Sequence, residues 1–409
     1  MKPRKILKIL SDNAYVRAGG TEAELRAAQY LACECEKLGH KAEIVPFDVD
    51  MAEISKATLT VDGREIPCTG YFGAGSGEIE APLYYLRDLD EFSLSQCKGK
   101  IALIEGHMRH WMYQDLLRNG AVGFVTFDGD INTPNPDIDE RELRRAIHQG
   151  NPMLGVNIHI KSAVELVKKG AKDAHITLRQ TESVGQSHNV ILELPGQIDE
   201  WITLSAHYDS VRQSIGVYDN FSGSVGLLGI AEYFTTHPHR YSLRFLWCGS
   251  EERGLLGSKA YCAANPEQLE KTVLNINLDM IGCIMGKFAA CCTAEEALVN
   301  YIHYFAMERG CQIKAYQDVY SSDSTPFADS GVPAVSFARW ASRNCAPIHN
   351  RYDTMAVMSG EQMARDIELI IAFTDRMANA AFFPVKKEIP ANVKEKLDVY
   401  LTRKRPEQK

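Results

Sequence analysis

Seven side chains from five short stretches have the types and spacing for metal-assisted chemistry. His207 and Asp209 stand two apart in SAHYDSV and Asp219 lies in YDNFSG. Glu251 and Glu252 are adjacent in CGSEERGLLGS, Asp279 falls in NLDMIG, and His349 in IHNRYDT. Two imidazoles with Asp219, Glu252 and Asp279 make a nitrogen and oxygen donor set suited to borderline dications such as Zn²⁺, with no thiolate required. Three carboxylates against two dications leave the site net positive, which favours a bound hydroxide. An aspartate shared by two ions would hold them roughly 3.5–4 Å apart and clamp one water between them, and Asp219 is the best bridging candidate. Of the adjacent glutamates, one can bind metal while the other, pointing elsewhere, takes a proton. Each feature alone has a plainer reading: a polar turn for His207 and Asp209, a helix N-cap for Asp219, a solvated acidic turn for the glutamates. The joint pattern outweighs them.

The elements that must position these groups follow from the periodicity. Apolar runs predict strands over 188–194, 202–206, 243–248, 273–278 and 334–338, and helix-like spacing predicts helices over 223–234 and 360–379. His207, the Glu251-Glu252 pair, Asp279 and His349 each follow one of those strands, and the carboxyl ends of parallel strands converge where open α/β sheets bind ligands. At the other end of the chain, Thr21 to Glu24 is a capping-box pattern opening a helix with Leu25, Ala28, Ala32, Cys35 and Leu38 on one face. A strand over 41–49 follows.

Between 51 and 184 the texture changes to short β-like runs with many glycines. Strands are expected over 99–104 and 121–127, helices over 112–119 and 162–169, and an exposed loop at TPNPD, residues 133–137. His107, His110, Asp128 and Asp130 read as scattered surface groups. The expected fold class is α/β: a mixed, mostly parallel central sheet flanked by helices, with a smaller β-rich inserted domain. The expected division is 1–50 with 185–385, an insert over 51–184, and a charged tail over 386–409.

Bulk properties narrow the function classes. Apolar residues make 45% of the 409 and charged residues 24%, ordinary for a globular protein, and the net charge of −8 argues against nucleic acid or an anionic membrane as partner. No apolar run reaches the about 20 residues that a spanning helix needs. Eleven cysteines are an odd number; Cys33, Cys35, Cys283, Cys291 and Cys292 lie in apolar or helical contexts, which predicts a reduced, cytoplasmic protein.

In order, SAHYDSV, YDNFSGSVGLLGIAEYF, CGSEERGLLGS, NLDMIG and IHNRYDT resemble the motifs of the M28 family of zinc-dependent exopeptidases, mostly aminopeptidases. GKIALIEG, NGAVGFVTFDGD and PMLGVNIHIKSAVELVKKG resemble a protease-associated domain, an insert that family uses. The resemblance implies two zinc ions, with His207 and Asp279 on one, Glu252 and His349 on the other, and Asp219 bridging. It implies Glu251 as general base and then acid, Asp209 as the group that orients His207, and a cis bond between Asp219 and Asn220. Family members that place an oxyanion-stabilising tyrosine just before the last histidine are not matched, because Ile348 stands there; Tyr352 and Arg339 are nearby and unassigned. Peptides are the implied substrates, with homo-oligomerisation left open. The rival expectations are a carboxypeptidase or dipeptidase of the same fold and a noncatalytic receptor-like binding protein.

Overall fold

A computed structural model describes residues 1–132 and 137–406, in two compact units: Met1–Val49 with Gly185–Lys409, and Asp50–Val184. Most of the TPNPD loop lies outside the described residues.

In the first unit the strands run in the order Lys314–Gln317, Lys287–Thr293, Ala334–Trp340, Thr272–Leu278, Ile198–His207, Tyr241–Cys248 and then the last part of Asp173–Leu194. Ile198–His207 pairs in parallel with both Tyr241–Cys248 and Thr272–Leu278, and Thr272–Leu278 in parallel with Ala334–Trp340. Antiparallel pairings at Lys287–Thr293 and at the 190–194 segment make the sheet mixed.

The strand Tyr241–Cys248 shows why a continuous apolar run was required. Successive side chains point to opposite faces. Leu243, Phe245 and Trp247 join the large core with Val225, Leu228, Ile367 and Ile370 from the helices Ser222–Phe234 and Gly360–Ala378, while Leu246 and Cys248 join Tyr261, Leu269 and Phe327 on the other face. Both faces are covered, so apolar side chains dominate both, and the one charge, Arg244, is buried with its guanidinium on Glu193 and Gln268.

Two expectations need correction. The strand expected over 41–49 runs on as Glu43–Val61, and the one over 188–194 begins at Asp173, so these strands cross the expected boundaries. Alternation of exposed and half-buried positions hid the length of both. The charged tail is not a separate piece: the helix Ala391–Tyr400 buries Val393 and Leu397 against Ala328, Ala334 and Ile389. Its charges are an outer face.

In the second unit, Gly77–Tyr85, Ile101–Glu105, Gly123–Asp128 and Gly155–His159 are parallel neighbours. The helices His110–Arg118 and Ile160–Lys169 supply Tyr113 and Leu116 to one core layer and Ala163 and Leu166 to another. No helix among the described residues is long and apolar enough to cross a membrane.

Candidate metal centre

Fold topology brings the separated motifs together in the first unit. Ile198–His207 ends at His207, paired with Cys248; the turn beyond Cys248 carries Glu251 and Glu252; Asp279 follows Thr272–Leu278 directly. Donor atoms of His207, Glu251 and Asp279 lie within 4.8 Å of one another, as do those of Asp219, Glu252 and His349. His207 Nε2 is 3.3 Å from Asp219 Oδ1 and 3.7 Å from Asp279 Oδ1, while His349 Nε2 is 3.0 Å from Asp219 Oδ2 and 3.2 Å from Glu252 Oε2. Each oxygen of Asp219 thus faces a different histidine.

The donor set fits divalent zinc. For ligand bonds of 2.0–2.1 Å, tetrahedral geometry separates neighbouring donors by about 3.3–3.4 Å, close to most of these spacings. Asp279 Oδ1 is buried with no hydrogen-bond partner, a costly state for a carboxylate oxygen unless a cation faces it.

Electrostatics point the same way. Burial alone would lower His207, but the charge of Glu251 and contacts with Asp209, Asp219 and Asp279 outweigh it and push the imidazole well above its usual range. Glu252 and Asp219 do the same to His349 against burial. Asp219 is held well below the usual carboxylate range: burial opposes this, and its two histidines prevail. Glu251 is pushed well above, chiefly by burial and then by Glu252, Asp323 and Asp279, with His207 opposing. The imidazoles are the counter-cations for a crowd of carboxylates, a task a metal takes over when histidine binds it neutral.

Several local features set this geometry. Asp219 does not cap the following helix; Asn220 Oδ1 accepts from Gly223 N at 2.9 Å instead, leaving Asp219 to the histidines. The Asp219-Asn220 peptide is cis. Asp209, fully buried, accepts from Glu251 N at 3.0 Å and Glu252 N at 3.2 Å, and its Oδ1 lies 3.3 Å from His207 Nδ1, outside hydrogen-bond alignment. Ser250, Met280 and His349, all non-glycine, have φ of 51°, 62° and 60°, and residues in this sparsely populated region cluster at functional sites.

Residues 189–374 match the family model described as Peptidase family M28. The matched segment is somewhat less than half of the chain. Aminopeptidase YwaD of Bacillus subtilis is 27% identical over 413 residues, covering 93% of this chain and 83% of its own. A probable leucine aminopeptidase 2 of Trichophyton verrucosum is 36% identical over 244 residues, covering 56% of this chain but 47% of its own. The solved structure of BSAP, a zinc aminopeptidase from Bacillus subtilis, shares the fold with a TM-score of 0.78 at 23% identity, covering 96% of this chain and 98% of that one.

Within the M28 segment the structure adds residues the motifs left unassigned. Asp353, buried in IHNRYDT, accepts from Tyr218 N at 2.8 Å and Asp219 N at 2.9 Å, and burial pushes its carboxyl up to about 7. Burial likewise pushes Asp323 up to about 6, beside His207, Asp209 and Asp279. Burial and the charges of Asp279 and Asp219 raise the Tyr320 phenol well above its usual range, while Trp340 stacks on its ring and donates from Nε1 at 3.2 Å. Arg339 is committed elsewhere, paired with buried Asp366 at 2.6 Å, and Tyr352 is half exposed. Tyr320 lies outside the quoted motifs, so only folding reveals it. In the second unit, His107, His110, Asp128 and Asp130 join no such cluster among the described residues.

Proposed function

We propose that the protein is a zinc-dependent aminopeptidase that removes N-terminal residues from peptides with two ions at this centre. The observation that carries the reading is Asp219 with one oxygen toward His207 and the other toward His349. The M28 match, the aminopeptidase relatives and the shared zinc aminopeptidase fold support the substrate class and the metal. In this reading His207 and Asp279 would hold one ion, Glu252 and His349 the other, and Asp219 would serve both. When bound, such ions would acidify a water and polarise the scissile carbonyl.

The chain's own groups carry the remaining steps. Glu251, held in the same cluster with its carboxyl raised, accepts the proton of the attacking water and returns it to the leaving amine. Asp209 grips the amides of both glutamates, so the base and the neighbouring ligand move as one. Tyr320, stacked on Trp340 with its hydroxyl accepting from Trp340 Nε1 and its phenol raised by burial and by the charges of Asp279 and Asp219, is the candidate donor to the carbonyl oxygen in place of Ile348. The Asp50–Val184 unit gathers no comparable donor set among its described residues.

The deciding experiment pairs zinc analysis with turnover of aminoacyl-p-nitroanilides, amino-blocked peptides and carboxyl-blocked peptides. The aminopeptidase reading expects bound zinc and cleavage only where the amino group is free. Cleavage that instead demands a free carboxyl group indicates a carboxypeptidase, and zinc-free active protein sinks the metal assignment.

A further inference from the structure

The turn that carries both glutamates is held from a part of the chain outside the M28 match. We infer that Glu24, in the first turn of the helix Glu22–Lys37, is a positioning residue for Glu251, acting through Ser250; this rests on the reading of Glu251 as the base.

In the sequence Glu24 is the last member of a capping box, which would turn its carboxyl back to the amide of Thr21. The structure uses it differently. Oε2 accepts from Gly20 N at 2.7 Å, while Oε1 turns away from the helix and accepts from Ser250 N at 2.9 Å, Ser250 Oγ at 3.3 Å and Ser187 Oγ at 2.7 Å. Glu24 is fully buried, a position a carboxyl tolerates only with its oxygens engaged.

Three consecutive amides of the turn are thereby held by two buried carboxyl groups: Ser250 N by Glu24, Glu251 N and Glu252 N by Asp209. Ser250 has φ of 51°, in the left-handed region disfavoured for a residue with a side chain, so the turn needs an outside hold to keep its shape. Close packing allows that hold. A Cβ on Gly249 would lie 2.7 Å from Glu24 Oε1, and one on Gly19 would lie 2.2 Å from Ser250 Oγ and 2.9 Å from its Cβ.

The same N-terminal segment grips the loop after His207. Arg17 is fully buried and donates to the carbonyls of Asn13, Tyr15, Tyr208, Ile215 and Gly216 at 2.7–2.8 Å, and its backbone N donates to Ser210 Oγ at 3.0 Å. Residues 13–24 therefore fasten two of the loops that deliver donors to the centre. Glu24 is the member that reaches the base.

The test uses full-length, zinc-loaded protein and the fastest-cleaved member of an aminoacyl-p-nitroanilide panel. Glu24→Gln keeps the volume but sets an NH₂ against either the Gly20 or the Ser250 amide. It is expected to lower kcat about 10- to 100-fold while KM stays within about threefold, with zinc content unchanged and melting well above the assay temperature. A role confined to stability would lower the melting point and leave kcat per folded molecule intact. Gly19→Ala displaces Ser250 from the opposite side without touching Glu24, should reproduce the kcat-only loss, and serves as the readout if Glu24→Gln does not fold. Wild-type kcat, within about twofold, in whichever variant folds overturns the proposal. Inactive wild-type protein overturns the peptidase reading along with it, whereas active wild type beside an unaltered variant overturns this proposal alone.

Discussion

Two sets of parallel strands in this chain end in metal-ligand residue types, and only one gathers them. In the Asp50–Val184 unit, Ile101–Glu105, Gly123–Asp128 and Gly155–His159 are neighbours that finish on Glu105, Asp128 and His159. In the first unit, Ile198–His207, Tyr241–Cys248 and Thr272–Leu278 lead into His207, the Glu251-Glu252 pair and Asp279. The difference lies in what answers each charge. Asp128 is paired with Arg141, which also reaches Asp139 at 2.9 Å; His159 Nδ1 accepts from Lys161 N at 3.2 Å as the cap of the next helix; Glu105 is exposed. Burial lowers His159, whereas the surrounding carboxylates raise His207 against burial. A strand end provides a place for a ligand, and the lack of a resident cation makes it a site.

Breaking the gathered set should have the largest effect. Removing zinc with a chelator is expected to abolish peptide hydrolysis and lower the melting temperature. Restoring zinc at a hundredfold excess over Kd should return about 2.7 kcal/mol of stability for each ion bound, measured by paired melts. Glu251→Gln comes next: turnover should fall by about 10²–10⁴ with zinc content nearly intact, and near-wild-type kcat would remove Glu251 from the role of base. Asp209→Asn, which keeps the size but not the charge facing the amides of Glu251 and Glu252, should cost about 10- to 100-fold in activity or zinc affinity, seen by titrating activity against free zinc.

A pH experiment sharpens the contrast between buried acids and surface pairs. Burial and the neighbouring Asp209 push Glu24 from 4.5 up to about 8. A folded value above the unfolded one gives stability that is complete below about 4.5 and is lost as pH rises through about 8. Glu24→Gln does not titrate, so its melting temperature relative to wild type should rise between pH 5 and 8; a constant difference contradicts the shift. The smallest effect belongs to the other set of strand ends: Asp128→Asn should leave kcat and zinc content unchanged and alter stability by about 1 kcal/mol or less, measured by denaturant unfolding.

How much could be read in advance differs by residue. His207, Asp219, Glu251, Glu252, Asp279 and His349 were visible because each combines a ligand or proton-transfer chemistry with a place beyond an apolar run or at a helix entry. Asp353 stood in a quoted motif, but its work is to accept two backbone amides, which no residue spacing announces. Tyr320 and Asp323 lie between two strands in a stretch that reads as polar loop, and become part of the centre only when Ala334–Trp340 pairs beside Thr272–Leu278. Glu24 was legible as a helix cap and hid a longer reach. The docking of the helix Ala391–Tyr400, rather than the helix itself, was obscured because two buried side chains among many charges form a weak pattern.

By itself the sequence determined which atoms can bind a dication, which strands deliver them, and that both sheet faces are covered, because donor chemistry and side-chain periodicity are local properties. Tertiary structure alone decided which acids meet an arginine and which meet imidazoles, and that a carboxyl over two hundred residues away in the chain accepts from the turn before Glu251 and Glu252. The physical reason is that hydrogen bonds and charge pairs act over a few ångströms of space, and chain separation carries no information about those distances.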